Sequence, residues 1–364
     1  MEKNGREISI YVDESQFQSS VHAKIVCVAC HIGFDPNNVP HKEKIEPVNC
    51  WTCHKDAGLK HRFHPSMIKA GGKRGNPALA CKECHGTHGV VSPKVPGSKF
   101  SSANIVNACG ECHSDVEGTF VRSAHGKALH AGIQGAPNCL SCHRNQVATP
   151  ASAQDTAKLK IVQEKLCLSC HLDDPNVRAK TSPTAGFIAA YGSSVHGAAL
   201  NNGNGNAANC IDCHGSHEMK KGSDPSSRVN RWNIPRTCAT CHSAVEERYR
   251  QSVHGVAVAK GNTDAPVCTD CHGEHNILGH RDPKSRVAAT NLSAEVCSPC
   301  HSSVRLTAKY GIRGDRFQTY SDSYHGLAVR AGSVEVANCA SCHGAHDIKP
   351  SSDSTSSIYS TNLA

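Results

Sequence analysis

The stretch of residues 238–275 carries three short signals in order: CATCH at 238–242, SVHG at 252–255 and CTDCHGEH at 268–275. The pattern Cys-x-x-Cys-His attaches c-type haem, because its two thiols add to the vinyl groups and the adjacent histidine binds the iron. Two such patterns predict two haems. His254 and His275 add one further histidine for each iron. We therefore interpret the stretch as a two-haem module with its own ligands.

The same pattern accounts for every cysteine of the chain. All 22 cysteines fall into eleven such motifs, and none is left over. A disulfide scaffold or a zinc ribbon would not require that fixed histidine. A thioredoxin-type motif needs a βαβ context that this Gly- and Pro-rich chain lacks. Eleven covalent haem c groups are therefore predicted. The predicted sites, each with two thioether cysteines and one proximal histidine, are Cys27/Cys30/His31, Cys50/Cys53/His54, Cys81/Cys84/His85, Cys109/Cys112/His113, Cys139/Cys142/His143, Cys167/Cys170/His171, Cys210/Cys213/His214, Cys238/Cys241/His242, Cys268/Cys271/His272, Cys297/Cys300/His301 and Cys339/Cys342/His343.

The chain has little material for an ordinary apolar core. Its 364 residues are 38% hydrophobic and include only 7 Phe, 7 Tyr and 2 Trp. Eleven haems leave about 33 residues per haem, so the porphyrins must supply most of the apolar interior. The predicted fold is mostly irregular with short α-helices, elongated, and wrapped around a chain of eleven haems.

The net charge has to be corrected for the haems. The formal charge is +8, which by itself suggests an anionic partner. Each ferric haem with two ionised propionates adds roughly −1, so the oxidised protein is expected near −3 and the fully reduced one about eleven charges lower. The Lys and Arg excess is then needed near propionates, and nucleic acid is not an expected partner.

The sequence also bears on location. No apolar run reaches the length of a transmembrane helix, and residues 1–5 lack the apolar core of a signal peptide. Covalent haem attachment takes place outside the cytoplasmic membrane. We therefore expect an exported protein, periplasmic or extracellular, whose signal sequence is absent from this numbering.

The motifs form an internal repeat. In modules 2 to 5 a Ser-x-His-Gly histidine lies 14 residues before the first cysteine of the next motif. Module 2 departs at its end, where His143 is followed by Arg-Asn-Gln instead of Gly-x-His. We expect one elongated unit, 1–364, with a half module at 1–49, module 1 at 50–91, module 2 at 109–146, module 3 at 167–217, module 4 at 238–275, module 5 at 297–346 and a polar tail at 351–364.

The remaining histidines predict the second iron ligands. Fourteen histidines lie outside the motifs, and eleven of them recur at corresponding positions, which favours bis-histidine ligation throughout. Only three methionines exist, so low potentials over a broad range are predicted. His61, His130 and His280 are spare, and exchanges with them stay open in modules 1 and 2, where His130 could replace the missing Gly-x-His ligand. The predicted distal ligands are His22, His41, His64, His88, His125, His196, His217, His254, His275, His325 and His346.

Local signals predict short helices and loops. Ser114-x-x-Glu117 and Ser243-x-x-Glu246 follow haem-binding histidines directly and predict capped helix starts there. Segments 92–102 and 220–236 are rich in Pro, Ser, Lys and Gly and are predicted to be loops. The polar tail is expected to be a flexible end or a partner contact.

The arrangement resembles multihaem cytochromes c with doubled Cys-x-x-Cys-His motifs. It is similar to the pentahaem donor of nitrite reductase and to the decahaem cytochromes of porin–cytochrome conduits in metal-reducing bacteria. The motifs, the Ser-x-His-Gly-x-Ala segments and the Cys-His-Gly-x-His endings carry this resemblance over residues 20–346. It implies closely spaced haems that pass electrons by hopping, with redox proteins, an outer-membrane conduit or an extracellular acceptor as partners.

Three functions stay open at this stage. The first is a periplasmic or conduit-bound electron carrier. The second is a subunit of an extracellular cytochrome filament, in which copies of the chain would share a ligand such as His22 or His41 of the half module. The third is a multihaem oxidoreductase with an open iron at His143. Bis-histidine irons have no open site, so no catalytic residue is predicted.

Overall fold

The computed structural model describes residues 2–3, 6–7, 11–35, 37–38, 48–65, 77–145, 151–181 and 186–363. Clustering of the chain gives two compact units, Met1–Thr149 and Pro150–Ala364. The boundary falls between modules 2 and 3. Each unit is described by itself.

Unit 1 consists of short helices joined by turns. A two-stranded antiparallel pair, Glu2–Lys3 with Arg6–Glu7, is the only sheet among the described residues. The 3₁₀ turn Cys50–Thr52 opens module 1. The α-helices described in this unit are Glu14–Gln18, Cys27–Cys30, Ala57–Lys60, Pro77–His85, Ile105–Gly110, Ser114–Val121, Ala124–His130 and Cys139–Cys142.

Unit 2 has the same character with two longer helices, Ala153–His171 and Ile234–Gln251. The second is kinked at His242, whose backbone is non-helical. Shorter turns of helix are Ala190–Ser193, Arg231–Asn233, Leu292–Cys297 and Ser360–Asn362. The other α-helices described are Pro175–Thr181, Gly186–Ala189, Val195–Asn201, Cys210–His214, Val253–Ala259, Cys268–His272, Ser298–His301, Val304–Tyr310, Arg316–Ser321, Tyr324–Arg330 and Cys339–His343. The predicted fold class, mostly irregular with short helices, is confirmed.

The protein's own apolar core is thin, as the composition predicts. One cluster of unit 2 contains Ile234, Val258, Ala265 and Val267, and another centres on Leu200. Large apolar side chains such as Val26, Leu59 and Val304 are mostly exposed. The side chains of the described residues therefore leave much apolar surface for another group to cover. Within the described ranges, none of the helices has the length and apolar character needed to cross a membrane.

One helix start recurs in both units. In the Ser-x-His-Gly segments the serine is the N-cap, and its hydroxyl accepts a hydrogen bond from the glycine N–H, as Ser252 does from Gly255. The preceding helix passes very close. A Cβ on Gly255 would lie 2.1 Å from the Tyr249 carbonyl oxygen, so only glycine fits at this crossing.

The predicted capping box at Ser114 is wrong. Ser114 is already the first helical residue of Ser114–Val121, and His113 is the N-cap, without a side-chain cap bond. At Ser243 no new helix begins, because Ile234–Gln251 runs through the kink at His242. Capping boxes form instead one step earlier, at the haem motifs, where the residue before the first cysteine is Asn138, Asn209 or Asn338.

Three of the loops between modules share one structure, which we call the connector, whereas the helix Ala153–His171 leads from module 2 into module 3. Each connector ends on an asparagine whose amide donates two hydrogen bonds back into the loop: Asn104 to Pro96 and Ser98, Asn233 to Pro225 and Ser227, and Asn291 to Pro283 and Ser285. A haem motif begins five or six residues after that asparagine. The polar tail has the same form, since Asn362 donates to the carbonyls of Ser354 and Ser356 at 3.0 and 2.8 Å.

Candidate functional site

The Cys-x-x-Cys-His motifs are mostly single turns of helix. In Cys268–His272 the two cysteines are three residues apart and therefore lie on the same side of the turn, as thioether bonds to one porphyrin require. Gly273 follows with φ of 80°, a left-handed conformation that favours glycine. Gly273 reverses the direction of the chain directly after the motif. His275 follows the motif histidine by three residues. Module 2 has Arg144 at the corresponding position.

The two motifs of each module lie together. The thiols of their first cysteines contact each other in the pairs Cys50 with Cys81, Cys109 with Cys139, Cys167 with Cys210, Cys238 with Cys268, and Cys297 with Cys339. The two motif histidines of a module also interact electrostatically, as His242 and His272 do. Porphyrins attached to these thiols would be close neighbours.

The two cysteines of a motif differ in burial, although the sequence treats them as equivalent haem-binding residues. The first cysteine is half-buried in every motif except that of the half module, where Cys27 is exposed. The second cysteine is half-buried only at Cys213 and Cys271. In the other nine motifs the polypeptide does not enclose the second thiol, and the exposed residues are Cys30, Cys53, Cys84, Cys112, Cys142, Cys170, Cys241, Cys300 and Cys342.

The module geometry explains this difference. The first thiols are covered because they meet each other where the two motifs pack. Exposure leaves a second thiol accessible to a vinyl group, so it fits covalent attachment of haem. It does not fit a structural cysteine of the core, which is normally buried. The thioether role of both cysteines stays a prediction.

Among the residues that the structure describes, pairs of histidines face each other across a narrow gap. Their ring centroids are 5.7 to 6.2 Å apart. Two metal–imidazole bonds of about 2 Å each, plus about 1 Å from nitrogen to ring centre on either side, require roughly 6 Å. The gap therefore fits one iron between two imidazoles. The pairs are His22–His54, His31–His88, His61–His85, His64–His113, His196–His242, His214–His275, His254–His301 and His272–His346.

These pairs follow two rules. A Ser-x-His histidine faces the first motif of the following module, as His196 faces His242 and His254 faces His301. A Gly-x-His histidine faces the second motif of the preceding module, as His275 faces His214. His22, His64, His88 and His346 obey the same rules. Each of these seven pairs thus joins two neighbouring modules, the half module included.

Module 1 contains the exception to these rules. The second rule would give His85 a Gly-x-His ligand from module 2, and module 2 lacks that ending. His61 takes the place instead, with its Nε2 3.5 Å from the Nε2 of His85. The histidine treated as spare in the sequence therefore faces a motif histidine. His130, the expected replacement in module 2, is exposed.

The other predicted ligands differ in their surroundings. His125, His143, His171 and His217 are half-buried, and each engages a neighbour. His41 lies outside the described residues. His280 is exposed, as its assignment as a spare predicts, but His325 and His343 are exposed as well. Among the residues that the structure describes, neither His325 nor His343 faces another histidine.

Burial favours the neutral imidazoles that metal ligation needs. Desolvation, and then the facing histidine, lower the pKa values of His196, His214 and His272. The pKa of His254 falls to about 4 for the same two reasons. A histidine binds iron through an unprotonated nitrogen, so these sites hold the ligand form at neutral pH.

The sequence interpretation missed a recurrent tyrosine. Tyr191, Tyr249 and Tyr320 each stand three residues before the serine of a Ser-x-His-Gly segment. Their hydroxyls donate to the carbonyls of Ala208, Pro266 and Ala337 at 2.6, 2.8 and 3.1 Å. Each bond ties the helix or turn that precedes the Ser-x-His-Gly segment to the loop just before the next haem motif. The constant spacing was the available signal.

Comparisons with known proteins point to one class. A family model described as a doubled CXXCH motif matches residues 73–118, which contain the motifs of His85 and His113. The chain is similar to a high-molecular-weight cytochrome c of Nitratidesulfovibrio vulgaris, with 24% identity over 43% of this chain and 30% of that protein. It is also similar to the multiheme cytochrome MtrA of Shewanella baltica, with 26% identity over 54% of this chain and 52% of that one.

These matches cover only part of this chain and only part of each relative. The chain spans about a third and about half of the length of the two relatives. No solved structure matches the chain.

Proposed function

We propose that this chain, which is a multihaem cytochrome of the c type, conducts electrons along a row of covalently attached haems. The observation that carries the proposal is the order of the attachment thiols in unit 2. Within modules, Cys167 lies beside Cys210 and Cys238 beside Cys268. Between modules, Cys213 interacts with Cys238. Alternating contacts of these two kinds would keep every porphyrin next to another.

The proposal includes eleven haems with mainly bis-histidine ligation. Ten irons would each have two histidines of this chain, and the iron at His343 is considered below. Irons held on both sides have no position for a substrate, which favours electron transfer over catalysis. The chain supplies spacing, ligation and local electrostatics, while the haems carry the redox chemistry.

The proposed location is outside the cytoplasmic membrane, because c-type haem is attached there. A redox protein or an outer-membrane conduit is the proposed partner, and the similarity to a multihaem cytochrome named MtrA supports this class of partner. A filament of identical copies is the second form that the sequence leaves open. Within the described part of the half module, His22 and His31 already face His54 and His88, which leaves His41, outside the described residues, as the candidate for a ligand shared between copies.

The haem count is tested first. Intact mass and a pyridine haemochrome assay on the same sample should both give eleven haems per chain. A lower count in the correctly folded protein would contradict the proposal.

Conduction is tested by interrupting the row. Replacing Cys268 and Cys271 with serine removes an interior haem of unit 2, whereas replacing Cys27 and Cys30 removes the first haem of the chain. The current through single molecules held between electrodes should fall at least tenfold for the interior variant and much less for the control. Equal losses in two folded variants would mean that electrons do not pass along the row.

A further inference from the structure

We propose that Tyr324, His325 and His343 form a docking face for a further doubled Cys-x-x-Cys-His module, one that is not among these 364 residues. We call these three residues the terminal face. The inference rests on the proposed function, because it requires that the motifs carry haem. It names the partner by chemistry: a haem-bearing module with the same two ligand positions as modules 3 to 5.

The ligand rules leave both histidines of module 5 pointing beyond the chain. By the first rule, His325 corresponds to His196 and His254, which face the first motif of the following module. By the second rule, the iron of His343 would take a Gly-x-His histidine from the following module, as the irons of His214 and His272 do. One ligand without an iron and one iron without a second ligand therefore lie in the same module.

Exposure agrees with this interpretation. His196 and His254 are half-buried against the following module, but His325 is exposed. The neighbouring Tyr324 side chain is 78% exposed, against 41% for the corresponding Val195. A tyrosine and a histidine on the surface together are the residues that the next module would cover.

A backbone hydrogen bond marks the same junction. The residue between serine and histidine donates its N–H to the carbonyl two residues after a Gly-x-His ligand: Val21 to Val90, Val195 to Ile277 and Val253 to Ile348, at 2.8 to 2.9 Å. Tyr324 is the corresponding residue of module 5. Among the residues that the structure describes, its N–H has no such acceptor.

The tail supports a module rather than another occupant. Residues 350–362 have the connector form, with Asn362 placed as Asn233 and Asn291 are. Ser356 is 2% exposed, matching Ser227 and Ser285 at 1% and 3%. The connectors that end on Asn233 and Asn291 each lead directly into a module whose Gly-x-His histidine faces the second motif of the preceding module.

A second copy of the chain fits this face poorly. His325 needs the iron of a first motif. His54, His113, His242 and His301 each already face a histidine of the same chain, and His171, the remaining first-motif histidine, is half-buried and already engages a neighbour. Two copies would therefore leave His325 without an iron.

The first test uses the 364-residue holoprotein and counts its low-spin ferric haems by electron paramagnetic resonance. His325→Ala should leave the number of low-spin haems unchanged, whereas the matched variant His254→Ala should lower it by one haem per chain. After reduction, the unsubstituted protein should bind one equivalent of carbon monoxide, at the His343 iron. Loss of one low-spin haem in His325→Ala would overturn the proposal without affecting the haem count that tests the function.

The second test supplies the missing module. Residues 292–350 are appended after Asn362, so that the copied module follows its connector in register. In this extended chain His325→Ala should now open one iron, and Ala at the copied His346 should open the His343 iron. No effect of either substitution in the folded chain would overturn the proposal. So would an open haem in the unextended protein that closes as its concentration rises, because a second copy would then be the occupant.

A third test concerns the backbone hydrogen bond that the residue between serine and histidine donates at a module junction. Proline is tolerated at the first helical position and lacks the N–H donor. Val253→Pro should lower the melting temperature of the 364-residue protein, because it removes the bond to Ile348. Tyr324→Pro should not. An equal loss for both variants would mean that Tyr324 already has a partner within the chain.

Discussion

At the scale of single residues, the close approach of two backbone segments decides which amino acid fits at a position. The Ser-x-His-Gly glycine lets one helix begin against the carbonyl that ends the previous one. The crossing sets the position of the histidine just before it. The glycine is therefore part of the ligand geometry, although it does not touch the iron.

Gly255→Ala should destabilise the protein by about 1–3 kcal/mol, because the new methyl group would overlap the Tyr249 carbonyl and force the helices apart. Denaturant unfolding of the holoprotein measures the change. Gly192→Ala is the control, since a Cβ there meets nothing within 4 Å. Equal stability of the Gly255 variant and the control would show that the helices separate at no cost.

His61 was treated as spare from the sequence, but in the structure it faces His85. His61→Ala should open the iron at His85, because the two rings face each other at 5.7 Å. Added imidazole should then bind one haem and restore its low-spin spectrum. His130→Ala, at another of the three spare histidines, should change neither the spectrum nor imidazole binding. An unchanged spectrum for the His61 variant would return the ligand role to another histidine.

At the scale of elements, neighbouring modules are joined by polar contacts as well as by ligands. Asp264, in the loop before the second motif of module 4, accepts hydrogen bonds from Arg305, Lys309 and Tyr310 of the helix Val304–Tyr310. These bonds hold the pKa of the Asp264 carboxyl well below its usual range. The cluster fixes module 5 against module 4.

Asp264→Asn should lower the melting temperature at pH 7. A carboxyl whose pKa is lowered by folding stabilises the protein above its unfolded pKa of about 3.9, and this contribution is lost as pH falls further. The difference from the unsubstituted protein should therefore narrow below about pH 4. Glu335→Gln, at an exposed carboxyl, is the control. A difference that does not depend on pH would exclude the ionised carboxylate as the cause.

At the scale of the molecule, the proposed haems would make the net charge depend on the redox state. With the formal +8 of the polypeptide and roughly −1 for each of the eleven proposed ferric haems, the oxidised protein would be slightly anionic, and each electron would add one negative charge. The accumulated charge opposes the last reductions. Salt screens this repulsion, with a Debye length of about 10 Å at 0.1 M.

The mean midpoint potential should therefore rise with ionic strength, and most for the last haems to be reduced. A spectroelectrochemical titration at low and high salt measures this shift. Sucrose at matched osmolality should produce none. A mean potential independent of salt would show that the charges are compensated within the protein, for instance by proton uptake.

The sequence by itself determined the class, the cofactor type and the short-helix fold, because Cys-x-x-Cys-His is complete within five consecutive residues and needs no distant partner. The predicted likeness to multihaem cytochromes c is confirmed by the comparisons. The eleven-haem count and bis-histidine ligation stay predictions. The sequence offered both His61 and His64 as possible iron ligands in module 1, but its pattern could not choose between two histidines three residues apart.

Only the tertiary structure decided which histidines face each other. His22 and His54 are 32 residues apart and His272 and His346 are 74 apart, and no local signal joins segments so distant. Within a module, the glycine crossing and the tyrosine bond set the position of the Ser-x-His-Gly histidine, and the backbone bond from Val253 to Ile348 joins one module to the next. Under the proposed function, local chemistry sets where each haem would be attached, and module packing sets which histidine would reach its iron.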